Sequence, residues 1–174
     1  MATDDERDAP AAESTARPTV TEDTVAEDTV VEASVIGLGI VLRSLAPALE
    51  HVTLQQYRIL VLLVTRGPSR AGDLADELGL LPSGITRMVD RLVRDHYVDR
   101  RVSGREVVVS ARDSAVALVE QVLTRRAAEF RSTLRRMEPE ERAAVQRAAE
   151  ALVRTAGSAP MLDAQLLLAT GPVR

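Results

Sequence analysis

The sequence LLPSGITRMVDRLVRD, which spans residues 80–95, decides the fold. It begins with Pro82, Ser83 and Gly84, which are poor residues for the interior of a helix but are accepted in its first turn. Apolar residues then recur at helical spacing, with arginines between them. This pattern predicts an amphipathic helix with an arginine-bearing side and an inward side formed by Ile85, Met88, Val89 and Leu92.

A second short helix is predicted immediately before this one. Ser69 has the position of an N-cap, residues 70–78 have helical apolar spacing, and Gly79 ends the segment. Two short helices joined by a tight glycine turn are typical of a helix-turn-helix motif. In that motif the second helix, here the one within residues 80–95, enters the major groove of DNA.

A longer apolar helix and a β-hairpin flank the two short helices. Thr53 and Gln56 have the spacing of a capping box, and the apolar residues after them lie on nearly all sides of the predicted helix. That helix is therefore expected to be central and buried. Alternation over residues 97–102 and a β-branched run over residues 106–110, with a turn between them, predict the hairpin. This order is that of a winged helix.

The ends of the chain carry helices with narrow apolar seams. Apolar residues recur at alternating spacings of four and three over residues 31–49 and again over residues 116–137, which is typical of helices that pack on partner helices. Pro47 is expected to kink or end the first of these helices one residue earlier. Pro139 suits the first position of a last helix, which runs to about residue 156.

The predicted fold class is mainly α with a small β-hairpin wing. Residues 1–29 are acidic, lack an apolar period and are expected to be a disordered tail. Residues 30–156 are expected to form the winged helix with its flanking helices, and the DNA-binding part covers about residues 53–112. Residues 157–174 form a C-terminal extension for which the sequence favours no structure.

The net charge of −4 conceals a division along the chain. Residues 1–32 hold 10 acidic residues and 2 arginines, whereas residues 33–174 hold 16 acidic residues and 20 arginines. There is no lysine, so every basic side chain is an arginine, which is suited to two-pronged contacts with phosphate and guanine. Residues 33–174 therefore carry a net positive charge, which is compatible with binding nucleic acid.

Composition excludes several classes of function. The chain has no cysteine, so disulfides and thiol chemistry are excluded. His51 and His96 are well separated and lack metal-ligand spacing, and no phosphate loop or nucleophile elbow is present, so we expect no catalytic residue, metal or cofactor. No apolar run is expected to be long enough to span a membrane, and the expected location is the cytoplasm.

The segments VTLQQYRILVLLVTRGPSRAGDLADELGL, PSGITRMVDRL, VDRR and GREVVVS resemble the MarR family of bacterial transcriptional regulators. The resemblance covers roughly residues 31–156. It implies a homodimer formed through the terminal helices, which binds palindromic double-stranded DNA as a repressor. It also implies release by a small-molecule effector held between the dimer helices and the winged domain, where Arg43 or Arg58 would meet an anionic group. A regulator without a ligand is the alternative.

The resemblance implies DNA contact for Ser83, Gly84, Thr86 and Arg87. Small residues at the start of the helix let the backbone approach DNA closely, and Arg87 can read guanine or clamp a phosphate. Arg91 is expected to contact DNA too, with an ion pair at the helix end as its alternative role. The expected DNA-binding set is completed by Ser69, Arg70, Arg101 and Arg105.

The wing departs from the family pattern. Family members usually carry an Asp-x-Arg motif after a longer loop, whereas this chain has Ser103-Gly104-Arg105 in a shorter one. Leu81 also stands where the family often has a polar helix cap. A winged-helix module that contacts only proteins is the competing interpretation, and the 7 arginines against 4 acidic residues over residues 82–112 argue against it.

The acidic tail generates the first prediction. A chain of this length reaches roughly 30 Å and can compete with phosphate for the arginine-bearing surface. Deleting residues 1–29 should therefore raise affinity for random duplex DNA more than affinity for a specific site, because non-specific binding is almost wholly electrostatic. Titrations at low and moderate salt measure both affinities. Unchanged random-DNA affinity at low salt would leave the tail a purely solubilising role.

Overall fold

The computed structural model describes residues 22–104 and 106–156, except for the side chains of residues 22–26 and of Ser103. Residues 1–21 of the predicted tail, Arg105 and the predicted C-terminal extension lie outside the described residues. The chain divides into two compact units, Met1–Val35 and Ile36–Arg174, and the first helix belongs to both.

The described residues form a mainly α fold with a small antiparallel sheet, which confirms the predicted fold class. In chain order the elements are α1 (Glu22–Leu49), α2 (Leu54–Arg66), β1 (Ser69–Arg70), α3 (Ala71–Leu78), α4 (Pro82–Arg94), β2 (Val98–Ser103), β3 (Glu106–Ala111), α5 (Asp113–Arg135) and α6 (Pro139–Ala156).

Helix α2 forms the centre of the hydrophobic core. Its predicted capping box is present: the Gln56 backbone N–H donates to Thr53 Oγ1 at 3.3 Å, and the Thr53 N–H donates to Gln56 Oε1 at 2.9 Å. Six consecutive residues, from Ile59 to Val64, are buried. Helices α4 and α5 and strand β3 all pack on α2, so the winged domain is assembled around it. Truncating one of these buried leucines to alanine would cost about 2–5 kcal/mol of stability.

The sheet contains one strand more than the predicted hairpin. Strands β2 and β3 pair as predicted, and β1 adds to the other edge of β3, with Ser69 opposite Val109 and Arg70 opposite Val108. The prediction that Ser69 caps a helix is therefore wrong. Arg70 is the N-cap residue of α3 and makes no side-chain capping bond, whereas Ser69 Oγ donates to the carbonyl of Gly67.

The first helix is longer than the sequence predicts. It begins at Glu22, so residues 22–29 of the predicted disordered tail are helical, and that part of the prediction is wrong. It also continues past Pro47 to Leu49. Proline forbids only the backbone hydrogen bond of its own nitrogen and crowds the preceding turn, so a helix can close one last turn around it.

The same helix overturns the expectation that no apolar run could span a membrane. By length and composition alone Glu27–Leu49 is long and apolar enough to do so, with a mean hydropathy of 1.6 over its best window. Only 17% of that window is buried within this chain. Hydropathy does not distinguish a membrane span from an apolar helix that packs on another protein surface.

Tyr57 on α2 generates a prediction about stability. Its side chain is fully buried, and its hydroxyl has no hydrogen-bond partner among the described residues. Burial raises the pKa of Tyr57 to about 12, against a smaller opposing effect of Arg126. The neutral form is therefore favoured in the folded protein. The resulting stability is complete below about pH 10, the pKa of an unfolded tyrosine, and is lost as the pH rises toward 12.

Replacing Tyr57 with phenylalanine should keep the packing and remove an unpaired polar group. We expect Tyr57→Phe to leave the free energy of unfolding at pH 7 unchanged or to raise it by about 1 kcal/mol, and to reduce the loss of stability above pH 10. Urea unfolding at pH 7 and above pH 10 measures both effects. Tyr97→Phe is the control that retains Tyr57. A loss of more than about 1 kcal/mol at pH 7 would mean that the hydroxyl has a partner.

Candidate nucleic-acid interface

Helix α4 is positioned by a tight turn and by its buried side. Gly79 ends α3 in the left-handed conformation, with φ of 63°, and the N–H of Leu80 donates to the carbonyl of Ala75 at 2.8 Å. This arrangement turns the chain from α3 into α4 within three residues, and a residue with a Cβ would be strained at Gly79. Ile85, Val89 and Leu92 are buried and Met88 is half-buried, which confirms the predicted inward side of α4.

The start of α4 presents its predicted contact residues to solvent. Ser83, Thr86 and Arg87 are exposed, and Gly84 is half-buried. A Cβ at Gly84 would meet nothing within 4 Å, so within this chain the glycine is not required for packing. Thr86 Oγ1 donates to the carbonyl of Pro82 at 2.9 Å, which leaves its methyl group and one side of its oxygen for an external partner. Leu81 is the N-cap and supplies no side-chain bond.

Some arginines of the winged domain form ion pairs with carboxylates, and others do not. Arg70 Nε lies 2.9 Å from Glu106 Oε2, Arg100 Nη1 lies 2.7 Å from Asp90 Oδ1, and Arg91 makes a longer contact of 3.7 Å with Asp95. Among the described residues no carboxylate lies within ion-pair distance of Arg87, Arg94 or Arg101. A phosphate can therefore bind any of these three without displacing a carboxylate.

The sheet gathers two of the predicted residues on one face. Arg70 in β1 and Arg101 in β2 are both opposite Val108 of β3, so the three side chains form one row across the sheet. The adjacent β3 residue, Val109, is fully buried, so this row lies on the side away from the core. Ser69 pairs with Val109 and belongs to the opposite face.

The predicted DNA-binding residues thus fall into two sets. Ser83, Gly84, Thr86, Arg87 and Arg91 lie on α4, whereas Arg70 and Arg101 lie on the outer face of the sheet. Ser69 joins neither set, and Arg105 lies outside the described residues.

A concave pocket beside α4 was not expected from the sequence. It has a volume of about 340 Å³, and its walls come from the start of α2 and from α4. The walls are formed by Thr53, Gln55, Gln56, Gly84, Arg87, Met88 and Arg91. Two arginines therefore share a recess with the polar start of α2, and Gln55 is a candidate contact residue that no sequence motif indicated.

A buried arginine lies between α1, α2 and α5. Arg126 is only 8% exposed, its Nε donates to Ser44 Oγ at 3.3 Å, and burial lowers its pKa, against an opposing effect of Tyr57. No sequence motif indicates this burial, although the spacing of Arg126, three from Leu123 and four from Phe130, places it beside the apolar seam of α5.

The two arginines predicted to meet an effector are engaged within the chain. Arg43 Nη2 lies 3.2 Å from Glu129 Oε2, and Arg58 Nη1 donates to Gln55 Oε1 at 2.9 Å. Arg58 keeps a buried Nε without a hydrogen-bond partner among the described residues. Arg58 therefore keeps a buried donor, whereas Arg43 is largely exposed and directs its Nε and Nη2 at Glu129.

Comparisons with known proteins agree with this architecture. The family model described as "MarR family" matches residues 52–106, which includes α4 and β2. RV1404 from Mycobacterium tuberculosis is 34% identical, with a TM-score of 0.66 over 82% of this chain and 99% of that chain. A MarR family protein from Bacillus stearothermophilus is 25% identical, with a TM-score of 0.57 over 76% of this chain and 94% of that one.

A third solved structure is similar in fold. The transcriptional regulator Tm0710 from Thermotoga maritima is 21% identical, with a TM-score of 0.61 over 74% of this chain and 91% of that one. No curated protein matches the chain.

Proposed function

The chain belongs to the MarR family of DNA-binding transcriptional regulators, and we propose that it is a homodimeric, cytoplasmic repressor of a palindromic operator, released by a small-molecule effector. The observation that carries the proposal is the outer face of α4, where Arg87 is exposed and has no ion-pair partner among the described residues. The first turns of such a helix lie nearest the base edges when it enters the major groove.

The residues at the start of α4 would contact the bases, and those of the sheet would contact the DNA backbone. Ser83, Gly84 and Thr86 would let the start of α4 approach the bases, and Arg87 would read guanine or clamp a phosphate. The recess that Arg87 and Arg91 share with the start of α2 favours a backbone phosphate for at least one of them. Arg70, Arg101 and Arg105 would meet the sugar-phosphate backbone beside the wing, whereas Ser69 is withdrawn from the proposed set because it lies on the other face of the sheet.

Exposed apolar surface supports the homodimer. Helix α6 has no buried residue, and Val145, Leu152 and Val153 are all exposed on it. A helix that packs on nothing is marginally stable in water, so α6 requires a partner surface. Helix α1 likewise exposes Leu38 and Leu42. A second copy of the chain would cover both helices and place two winged heads on one DNA molecule.

An effector would bind on the inner side of α1, where burial and positive charge coincide. Arg126, which donates to Ser44 of α1, is buried beside the aliphatic core, and Arg58 on α2 also has a buried guanidinium nitrogen. A small organic acid with an apolar body suits such surroundings. With no cysteine in the chain, control by thiol oxidation is excluded. The alternative, a regulator tuned only by its abundance, predicts that no small acid changes DNA affinity.

Selection of bound sequences from random duplex DNA tests the function itself. We expect a palindrome with half-sites about 10 base pairs apart, because two heads of a dimer meet the same face of the helix one turn apart. Binding to the recovered duplex should weaken steeply as salt rises. Failure to enrich any duplex, with no salt-dependent binding, would favour the competing role as a protein-interaction module.

The oligomeric state gives a separate prediction. Analytical ultracentrifugation at micromolar concentration should show a dimer, because the apolar residues of α6 are otherwise left in water. Leu152→Glu should shift the chain toward monomer and leave the winged domain folded, since Leu152 is 64% exposed and contributes little to the core. Glu150→Gln on the same helix is the control. A wild-type monomer at this concentration would contradict the prediction.

Arg87 gives the sharpest prediction about recognition. Arg87→Ala should cost about 1–3 kcal/mol of binding free energy on the selected duplex and relax base preference at one position, if the guanidinium reads guanine. Loss of the same size on selected and random DNA, with the salt slope lower by about one, would assign Arg87 to a phosphate instead. Arg94→Ala is the matched control, since Arg94 lies in the last turn of α4 and also lacks an ion pair among the described residues.

A further inference from the structure

The end of α4, the start of β2 and the start of α5 meet at one corner of the fold. Helix α4 ends with the Tyr97 N–H donating to the carbonyl of Leu92 at 2.9 Å and the His96 N–H donating to that of Val93 at 3.1 Å. His96 adopts φ of 62° and is the only non-glycine residue with positive φ among the described residues. The chain therefore turns sharply from the recognition helix into the wing, in a conformation that favours glycine.

The cap and first turn of α5 bind His96, Tyr97 and Asp99 at this corner, and Arg112 Nη1 also lies 3.4 Å from His96 Nδ1. The Arg112 N–H donates to the carbonyl of Tyr97 at 2.9 Å, and Ser114 Oγ donates to the carbonyl of His96 at 2.5 Å. The Arg112 guanidinium donates to Asp99 Oδ1 through Nε at 2.8 Å and through Nη2 at 2.5 Å. Arg112 thus binds the residue before the wing strand through its backbone and binds Asp99 within the strand through its side chain.

The pKa shifts of Asp99 and Arg112 are those expected of a stable ion pair between the two side chains. The hydrogen bond from Arg112 holds the pKa of the Asp99 carboxyl below its usual value, and Asp99 raises the pKa of Arg112 in turn. Both side chains are exposed, so the pair adds little to overall stability. The pair is important because it joins the N-cap of α5 to strand β2 of the wing.

We propose that Arg112 is a positioning residue, which fixes the wing relative to α5 by holding Asp99 and does not itself bind DNA. The inference rests on the DNA-binding function proposed above. Asp99 lies two residues before Arg101 in β2, so a displacement of Asp99 also displaces Arg101. Helix α5 would thereby transmit the geometry of the dimer to the wing and to the end of the recognition helix.

The direction in which Asp99→Ala changes DNA affinity distinguishes a positioning role of Arg112 from a direct phosphate contact. Asp99 is an acidic residue beside the DNA-facing wing. If only charge matters, Asp99→Ala removes a repulsion and should strengthen DNA binding, while Arg112→Ala should weaken it and lower the salt slope by about one. If Arg112 acts through Asp99, either substitution should weaken binding and leave the salt slope unchanged.

The experiment measures affinity of the full chain for the selected duplex and for a scrambled duplex of the same composition. We expect Asp99→Ala, Arg112→Ala and the double variant each to lose about threefold to tenfold on the selected duplex, the range for an exposed ion pair counted in both heads of a dimer. The loss should not add in the double variant, because both substitutions break the same link. The scrambled duplex should lose less.

Two further variants complete the test. Arg112→Lys keeps the charge but cannot donate through two nitrogens in one plane, so positioning predicts a loss close to that of Arg112→Ala. Glu77→Gln breaks the Arg66–Glu77 ion pair between α2 and α3 and should leave the ratio of the two affinities unchanged. Thermal unfolding followed by circular dichroism confirms that each variant is folded.

Several results would overturn the proposal. They are tighter binding by Asp99→Ala, full activity of Arg112→Lys, additive losses in the double variant, or equal loss on both duplexes. A wild-type chain that binds neither duplex would refute the proposed function itself, which is a different outcome from a wild-type chain that binds while the variants behave as charge alone predicts.

Discussion

The winged domain depends on the burial of α2 on all sides. Residues from Ile59 to Val64 have no solvent-facing position, so neighbours must surround the helix completely. Helices α4 and α5 and strand β3 supply this cover, and each brings its apolar side to the same centre. The outer face of α4 is therefore a consequence of the core: once Ile85, Val89 and Leu92 are directed at α2, Thr86 and Arg87 must point outward.

Ion pairing decides which arginines remain available to a ligand. The sequence places seven arginines between residues 82 and 112 and does not show which of them form ion pairs with distant carboxylates. The fold does so, because Asp90, Asp99 and Glu106 each occupy an arginine that is distant in sequence. A paired arginine must exchange a carboxylate for a phosphate, whereas an unpaired one loses only water and counterions. The surface that can bind DNA is thus much smaller than the basic composition suggests.

Local patterns predicted the local features of this chain and missed the features that depend on distant pairing. The capping box at Thr53, the left-handed turn at Gly79 and the buried side of α4 all follow from spacing within a few residues, and the structure confirms them. Strand β1 has two residues, and it exists only because β3 offers an open edge about forty residues later in the sequence. No local signal marks it, and for this reason the sequence predicts Ser69 as a helix cap instead of a strand residue.

The burial of Arg126 and of one side of α1 also depends on distant parts of the chain, and local sequence patterns do not predict it. A periodic seam indicates that a helix packs, but it does not say on what, and so a membrane-length hydropathy signal in α1 has two explanations. The residues from Ile36 onward decide between them. Ile40, Leu45 and Ala48 are buried against this chain, and Ser44 on the same side accepts a hydrogen bond from Arg126.

A helix that spanned a bilayer would have to abandon these contacts and leave the buried guanidinium of Arg126 without Ser44, at a cost that hydrocarbon surroundings do not repay. The exposed side of α1 is apolar as well, with Leu38 and Leu42 in solvent. A helix with one side in its own core and an apolar opposite side fits a position between two protein surfaces. The hydropathy of α1 is therefore better explained by contact with another protein surface, as in the dimer proposed above, than by lipid.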